Sequence, residues 1–388
     1  MKIAIPRERR AFEARVAATP DTVKKYKGLG FDVAVEAGAG AGASIPDSAF
    51  AAAGAAIVDD PRALLADADI VLKVQRPLTA GEGDLDELGA MKRGAVLIAS
   101  LSPYQARESL DAYAAAGVEA HAMELIPRIT RAQSMDILSS QANLAGYKAV
   151  LDAASEYGRA FPMMMTAAGT VAPAKLFVLG VGVAGLQAIA TARRLGAIVS
   201  AFDVRAATKE QVKSLGATFL EVEGMEDLET KAGYAREASE EQKQRQAAKI
   251  TEHLAKQDIV ICTAQIPGRQ APRLVTAEMI RGMKPGAVIV DLAVESGGNA
   301  EGSKPGEIVV TENGVKLVGH RNVPGRLAQD ASALYAKNLL NYITPMVDRE
   351  TKALKVAYDD EIVKGTLLTR DGAVVHPSFA AQPAAASA

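Results

Sequence analysis

The stretch that most restricts what this chain can fold into is Gly180-Val181-Gly182-Val183-Ala184-Gly185. A G-x-G-x-x-G alone is a weak signal, but here its surroundings are specific. It follows an apolar strand-like run, Lys175–Leu179, and opens a helical pattern, Leu186–Leu195. A second strand-like run, Ile198–Asp203, ends on a carboxylate about 20 residues further on. Strand, glycine turn, helix, strand and acid together make the dinucleotide-binding fingerprint. Gly180 permits the tight turn, Gly182 admits a pyrophosphate close to the backbone, and Gly185 lets helix and strand pack closely. Free N–H groups and the positive dipole end at the helix N-terminus then favour the phosphates. A glycine-rich turn without a ligand is the plain structural alternative. Asp203 bears on the choice of cofactor: a carboxylate there accepts hydrogen bonds from ribose hydroxyls and repels a 2′-phosphate, which favours NAD(H) over NADP(H). Arg205, just past Val204, has the charge to serve a phosphate, and Asp203 also suits a helix N-cap or a loop acid.

The same alternation of short apolar runs and amphipathic stretches fills most of the chain. In the first third, strands are expected at Lys2–Pro6, Asp32–Glu36, Ala56–Val58, Ile70–Val74, Ala95–Ser100 and Glu119–Met123. Helical stretches at Pro20–Leu29, Pro61–Ala66 and Pro103–Ala116 lie between them, each with proline where a first turn tolerates it. A second block adds strands at Lys175–Leu179, Ile198–Asp203, Thr218–Glu221, Ile259–Thr263, Ala287–Asp291 and Lys316–Val318. Strands separated by helices imply parallel βαβ units. The expected fold is α/β: two doubly wound, Rossmann-like parallel-sheet domains joined by long helices, Gln133–Arg159 and Arg326–Val347. The C-terminal runs Lys355–Tyr358, Gly365–Thr369 and Ala373–His376 read as short strands, with a small hairpin turning at Arg370-Asp371-Gly372. Residues 1–138 with 330–388 are expected to form one domain, and 139–329 the dinucleotide-binding one. Between Glu221 and Gln257 the chain is rich in Glu, Lys, Gln and Arg, which reads as a mobile surface loop and then a solvated helix. The tail Ala380–Ala388 is low-complexity and reads as disordered.

Composition excludes several classes. With 388 residues, 49% of them apolar, the chain has ample material for two cores. A net charge of −2 offers no basic field for nucleic acid. A single cysteine, Cys262, rules out an internal disulfide framework and a multi-cysteine zinc site, and makes the cytoplasm the default compartment. The uncharged run Leu176–Ala192 falls short of the roughly 20 residues a spanning helix needs and is broken by glycines.

A second polar concentration is Arg128-Ile129-Thr130-Arg131-Ala132-Gln133-Ser134-Met135-Asp136, at the expected domain junction. It suits the wall of a cleft that fixes a polar ligand. It equally suits helix capping by Ser134 with Asp136 in the first turn. His121, His253, His320 and His376 show no metal-ligand spacing and read as core or surface histidines, so no metal site is expected. Cys262, in an apolar strand, reads as inert core, and Met163-Met164-Met165 as packing.

Several long segments resemble the NAD(H)-binding component of proton-translocating nicotinamide nucleotide transhydrogenases, within the alanine dehydrogenase/transhydrogenase family. They are Arg128–Tyr147, Phe161–Val171, Gly180–Ala192, Asp203–Gln211, Ile266–Pro272 and Asp291–Asn299. The resemblance runs from Met1 to about Pro377. It implies a homodimer that binds NADH or NAD⁺, while a separate partner domain binds NADP(H) and membrane subunits conduct protons. Hydride then passes directly between the two nicotinamides. It implies a cytoplasmic chain, held at the inner face of the cell membrane through those partners. It puts the polar loop near the nicotinamide, so that Arg128, Gln133 and Asp136 serve hydride transfer. Ile129, Ser134, Met135 and Ser139 join them in binding. Asp203 takes the adenosine, with Val204 and Arg205 beside it and Gly180, Gly182, Val183 and Gly185 at the phosphates. Gly233 and Tyr234 match a mobile loop whose tyrosine closes over bound nucleotide, and Gln265 stands near the nucleotide where relatives often carry Leu. Hydride transfer needs no acid, base or metal when two rings are held face to face, so the task is positioning and exclusion of water.

The alternative is an amino-acid dehydrogenase of the alanine dehydrogenase type. Pro6–Pro20 resembles both, and Arg15 and Lys73 stand where that enzyme binds its oxo-acid and does acid–base work. Its catalytic histidine, however, corresponds to Leu101-Ser102, and its catalytic aspartate to Glu295. Without a group of suitable pKa in place, proton removal from a 2-amino acid fails. Arg15 and Lys73 then read as buried structural ion partners.

Overall fold

The computed structural model describes residues 1–222, 239–266, 268–348 and 350–380. They fall into two compact units, Met1–Gln141 with Gly325–Ala388, and Ala142–Pro324.

In the first unit, β1 (Lys2–Ile5), β2 (Asp32–Glu36), β3 (Ala56–Val58), β4 (Ile70–Gln75), β5 (Val96–Ser100) and β6 (Glu119–Ala122) pair in parallel in the order β3-β2-β1-β4-β5-β6. The central runs Ile3–Ile5 and Ile70–Val74 are buried on both faces, as parallel strands under helices must be. Helix starts follow the sequence signals. Thr19 and Thr22 form a capping box ahead of Pro20–Gly28, and Asp60 caps Pro61–Ala66. One face packs Ile3, Ile5, Ile70 and Leu72 with Tyr335, Leu339 and Ile343 of the helix Ala328–Ile343. The other packs Ala4, Val71 and Leu97 with Leu64, Leu65, Leu110 and Tyr113.

The second unit carries a separate two-stranded ribbon, β7 (Met164–Thr166) and β8 (Gly169–Val171). Its main sheet holds β9 (Lys175–Leu179), β10 (Ile198–Phe202), β11 (Thr218–Phe219), β12 (Ile259–Cys262), β13 (Val288–Asp291), β14 (Ile308–Val310) and β15 (Lys316–Val318). Their order is β11-β10-β9-β12-β13-β15-β14, parallel except for the edge strand β14. The helix Ile137–Glu156 packs Ala149, Val150 and Ala153 on one face, beside Ala188, Ile189 and Ala192 of Val183–Arg194. Ile250 and Leu254 of the charged helix Glu240–Leu254 cover the other face. Helix Ile137–Glu156 carries Gly146 because a β-carbon there would lie 2.0 Å from the Ala184 carbonyl oxygen. Back in the first unit, β16 (Leu367–Arg370) adds antiparallel to β6 and turns into β17 (Ala373–Val374). Asp371 and Gly372, at φ 52° and 78°, make the left-handed turn a hairpin of this twist prefers.

In each sheet the chain reverses its direction of growth once, between β1 and β4 and between β9 and β12. Ligands of doubly wound sheets bind at such switch points, beyond the carboxyl ends of the strands.

Four sequence expectations need correction. Lys355–Tyr358 is not a strand: it is held by side chains, Val356 packing against the core and the Tyr358 hydroxyl donating to Glu119 of β6 at 2.8 Å, and not by ladder pairing. Gly365 and Thr366 end a helix, Glu361–Thr366, because the Asp360 carboxylate accepts the Ile362 N–H and caps it. The helix expected from Pro103 begins at Arg107; Ser102, at φ 51°, turns the chain first and its carbonyl accepts the Gln105 and Ala106 N–H groups. The helix expected from Gln133 is divided at Asp136, a 3₁₀ segment Thr130–Met135 preceding Ile137–Glu156.

Candidate dinucleotide site and polar loop

At the switch point of the second unit, β9 ends in the glycine turn. Gly180 has φ +95°, and a β-carbon there would meet Thr263 Oγ1 at 2.7 Å. The Thr263 hydroxyl donates to the Gly180 carbonyl at 2.8 Å, joining the loop after β12 to the turn. A β-carbon on Gly185 would lie 2.0 Å from the Gly180 carbonyl oxygen, so the turn cannot close around any larger residue. Gly182 differs: nothing among the described residues comes within 4 Å of its β-carbon position. No contact among the described residues demands glycine there, and the open position has room for a group to approach the backbone closely. Gly182 is the N-cap of Val183–Arg194 and makes no side-chain cap, which leaves the first-turn N–H groups for an anion. Val183 is 40% exposed at that helix start.

Asp203 follows β10 and faces the same turn. Its Oδ2 accepts the Val181 N–H at 2.7 Å, so the acid holds the glycine turn in place. Oδ1 accepts the Arg205 backbone N–H at 2.9 Å, and the Arg205 guanidinium grips both oxygens. Asp203 is thus a loop acid and not a helix cap. Val204 packs against the core of this unit. On the far side of the switch point, buried Asn299 accepts the Ala264 N–H at 3.1 Å and donates to the Ala264 carbonyl at 2.9 Å. Gln265, exposed next to it, donates to the Leu292 carbonyl at 3.0 Å. Sequence reading missed Asn299, whose partner is 35 residues away. The mobile-loop expectation for Gly233 and Tyr234 lies outside the described residues.

The polar loop belongs to the first unit. Asp136, not Ser134, starts the long helix: its carboxylate accepts the Ser139 N–H at 2.9 Å and the Ser139 hydroxyl at 2.5 Å. Ser134 is held through its carbonyl, which accepts from Asn338 at 2.8 Å and from Asn341 at 3.0 Å. Asn338 also accepts the Ser140 hydroxyl at 2.7 Å. Arg131 forms a two-pronged pair with Asp360 at 2.7 and 2.8 Å, and Asp360's carboxyl is held below its ordinary range by that pairing. Ala132 and Met135 are buried, and Ile129 packs on the same core. The result is a rigid scaffold that leaves Arg128 and Gln133 exposed; the Gln133 side chain makes no hydrogen bond among the described residues. Asn338, Asn341 and Asp360 were not apparent from sequence, because each lies about 200 residues from its partner in the loop.

Arg15 and Lys73 lie at the first unit's switch point, buried and fully engaged. Glu13 takes the Arg15 guanidinium through two oxygens at 2.6 and 2.8 Å, and Gln141 accepts from it at 2.7 Å. Lys73 contacts Glu87 at 3.1 Å and Glu8 at 3.3 Å. Burial pushes the Glu8 carboxyl up; at Glu13 burial acts the same way, but Arg15 outweighs it and holds the group low. Leu101 is fully buried, and Glu295 pairs with Arg321 at 3.1 Å and the Asn322 N–H at 2.8 Å.

Cys262 is buried and its thiol is pushed up by burial, in keeping with an inert core residue. His121 sits between Tyr342 and Glu119, and His253 contacts Ser200. Among the described residues no cluster of His, Cys, Asp and Glu is arranged to hold a metal. The methionines correct the expectation of packing: Met163, Met164 and Met165 are 60%, 42% and 79% exposed, because no layer among the described residues covers the β7–β8 ribbon.

Comparison with known proteins agrees with these features. The profile described as alanine dehydrogenase/PNT, N-terminal domain, matches residues 4–145, and that for the C-terminal domain matches 149–377. An NAD(P) transhydrogenase subunit alpha chain of Rhodospirillum rubrum is 60% identical over 99% of this chain and 100% of that one. A solved transhydrogenase from Sinorhizobium meliloti superposes with a TM-score of 0.87 at 56% identity, covering 97% of this chain and 100% of that one. A solved L-alanine dehydrogenase reaches a TM-score of 0.80 at 27% identity, covering 98% of each chain. With both profiles matched in order over almost its whole length, the chain belongs to the alanine dehydrogenase/PNT family.

Proposed function

We propose that this chain is the NAD(H)-binding subunit of a proton-translocating NAD(P) transhydrogenase. Hydride passes between NADH held here and NADP⁺ held by a partner domain, coupled to proton movement through a membrane partner. The observation that carries the reading is the glycine turn of the second unit. Gly182 is open where a pyrophosphate needs room, and Asp203 is fixed to the turn through the Val181 N–H. NAD(H) supplies the transferable hydride; the protein supplies alignment.

In this reading the first-turn N–H groups of Val183–Arg194 hold the pyrophosphate and Asp203 holds the adenosine ribose, with Val204 and Arg205 flanking it. The 128–139 loop serves the nicotinamide end. Gln133 directs its amide to the nucleotide, Arg128 sets the charge around it, and Ser139 and Asp136 fix the start of the helix behind them. Ile129 and Ser134 complete the contact surface, with the buried Met135 supporting them from the core, and Gln265 and the Gly233–Tyr234 segment add to it. None of these groups has to exchange a proton with substrate. NADP(H) has no place on this chain.

The reading includes a homodimer and a place at the inner membrane face through the partners. No helix among the described residues is long and apolar enough to cross a membrane. The homodimer is supported by the β7–β8 ribbon, since a two-stranded ribbon with bare methionines is marginal by itself and gains stability when a second copy covers it. Alanine dehydrogenase chemistry is disfavoured: Leu101-Ser102 offers no histidine, and Glu13 engages the cation that would hold an oxo-acid. Titration with NADH and NADPH tests the cofactor assignment. NADH is expected to bind much more tightly, and equal affinities would overturn it.

A further inference from the structure

We propose that Arg205 competes with the adenosine ribose for Asp203, and so sets how tightly and how long the dinucleotide is held. This rests on the reading of Asp203 as the ribose acid. An ionised carboxylate has about four acceptor positions. At Asp203, Oδ1 accepts the Arg205 N–H and Nε–H, both at 2.9 Å, while Oδ2 accepts the Val181 N–H at 2.7 Å and Arg205 Nη2 at 2.8 Å. The two backbone donors are fixed by the strand ends. A ribose diol therefore gains its acceptors only from positions that the guanidinium holds. The pair is little exposed, 17% for Arg205 and 7% for Asp203, so water screens it weakly. The Arg205 backbone is anchored independently of its guanidinium, its carbonyl accepting the Thr208 hydroxyl at 2.7 Å.

The first unit contains the same device in closed form. Glu36 ends β2 as Asp203 follows β10, and its Oε2 accepts the N–H of Arg7, two residues beyond β1, at 2.8 Å. Val181 stands two residues beyond β9 in the same way. An arginine again covers the acid: Arg9 binds Glu36 and is also tied to Glu87 at 3.2 Å and to the Arg7 carbonyl at 2.8 Å. Pro6-Arg7-Glu8 replaces the glycine turn there. An arginine on the strand-end acid thus closes this type of site where no pyrophosphate cradle adjoins it. Beside the glycine turn, the same pairing sets up an exchange between guanidinium and ribose.

Arg205→Met keeps the stem and removes the donors. NADH should then bind about two- to fivefold more tightly, with dissociation slowed by a similar factor. Arg205→Lys, which keeps the charge but loses the planar fork, should fall between the two. The experiment measures NADH fluorescence titrations and stopped-flow dissociation on the full chain for the wild type, both Arg205 variants and Asp203→Asn. Should the Met variant fail to fold, the Lys variant tests the same direction. Weaker or unchanged NADH binding on loss of the fork, with Asp203→Asn still weakening it, overturns the competition. Unchanged NADH binding in Asp203→Asn removes the ribose acid itself, and the proposal with it.

Discussion

Gly182 and Gly185 stand three residues apart in one turn and are glycine for different reasons. A β-carbon at 185 collides with the Gly180 carbonyl, whereas one at 182 meets nothing among the described residues, at φ values any residue adopts. Gly185→Ala should therefore lower stability by about 1–3 kcal/mol, as overpacking does. Gly182→Ala should leave the thermal midpoint nearly unchanged and weaken NADH at least tenfold; calorimetric unfolding and NADH titration of both variants separate the two causes. Asp203→Ala removes hydrogen bonds to a charged acceptor, each worth about 1.5–3 kcal/mol, and should cost roughly tenfold to a hundredfold in NADH affinity. Glu13 gives a prediction in pH. Its folded pKa lies below the ordinary value because Arg15 outweighs burial. Its contribution is thus full above the unfolded pKa of about 4.3 and is lost as pH falls through the lower folded value. Glu13→Gln strands the buried Arg15 and should cost about 3–5 kcal/mol near neutrality. The gap between wild type and variant should shrink below about pH 4; a constant gap would show that the carboxylate's charge is not involved.

Among elements, the parallel strands were the most legible. Asp32–Glu36, Lys175–Leu179 and Lys316–Val318 have the limits their apolar runs suggested, because burial leaves a continuous hydrophobic signature; the edge strand Ala56–Val58, which is only half-buried, has its expected limits too. The glycine turn was legible because its constraints are local. The polar loop was legible in composition but not in form. Helical periodicity runs through Asp136, and only the cap it makes to Ser139 divides the segment. The loop's scaffold was not legible, since Asn338, Asn341 and Asp360 reach it from the returning C-terminal segment. The β7–β8 ribbon was missed because the apolar run Met163–Met165 looks like core until the absence of a facing layer among the described residues is known. Asn338→Ala strips a partner from the Ser134 carbonyl and the Ser140 hydroxyl, and should cost about 1–3 kcal/mol in unfolding free energy. Gln133→Asn leaves that scaffold intact but withdraws the amide by one methylene. A displacement of about 1 Å can cost roughly a hundredfold in rate, so hydride transfer should slow far more than NADH binding weakens. Single-turnover transfer and NADH affinity, measured on the same variant with an NADP(H)-binding partner, check that split.

For the whole molecule, two sheets of the same winding have opposite fates. In the second unit the switch point keeps a glycine turn open, while in the first Glu8, Glu13, Arg15, Lys73 and Glu87 fill it with buried ion pairs. That contrast fits a chain that holds one dinucleotide and leaves the second nucleotide to a partner. Association should depend on the ribbon: Met165→Glu puts a charge on its most exposed methionine and should shift sedimentation from dimer toward monomer, while an unchanged dimer would place the interface elsewhere. On the function proposed above, this chain exchanges hydride between nucleotides and does not act on an amino acid of its own. The most direct measurement mixes NADH-loaded chain with an NADP⁺-loaded partner domain in a stopped-flow instrument and, in parallel, supplies the chain alone with NAD⁺ and L-alanine. Rapid NADPH formation is expected in the first arm and no NADH in the second. NADH production from alanine, with no transfer to the partner, would contradict the proposed function.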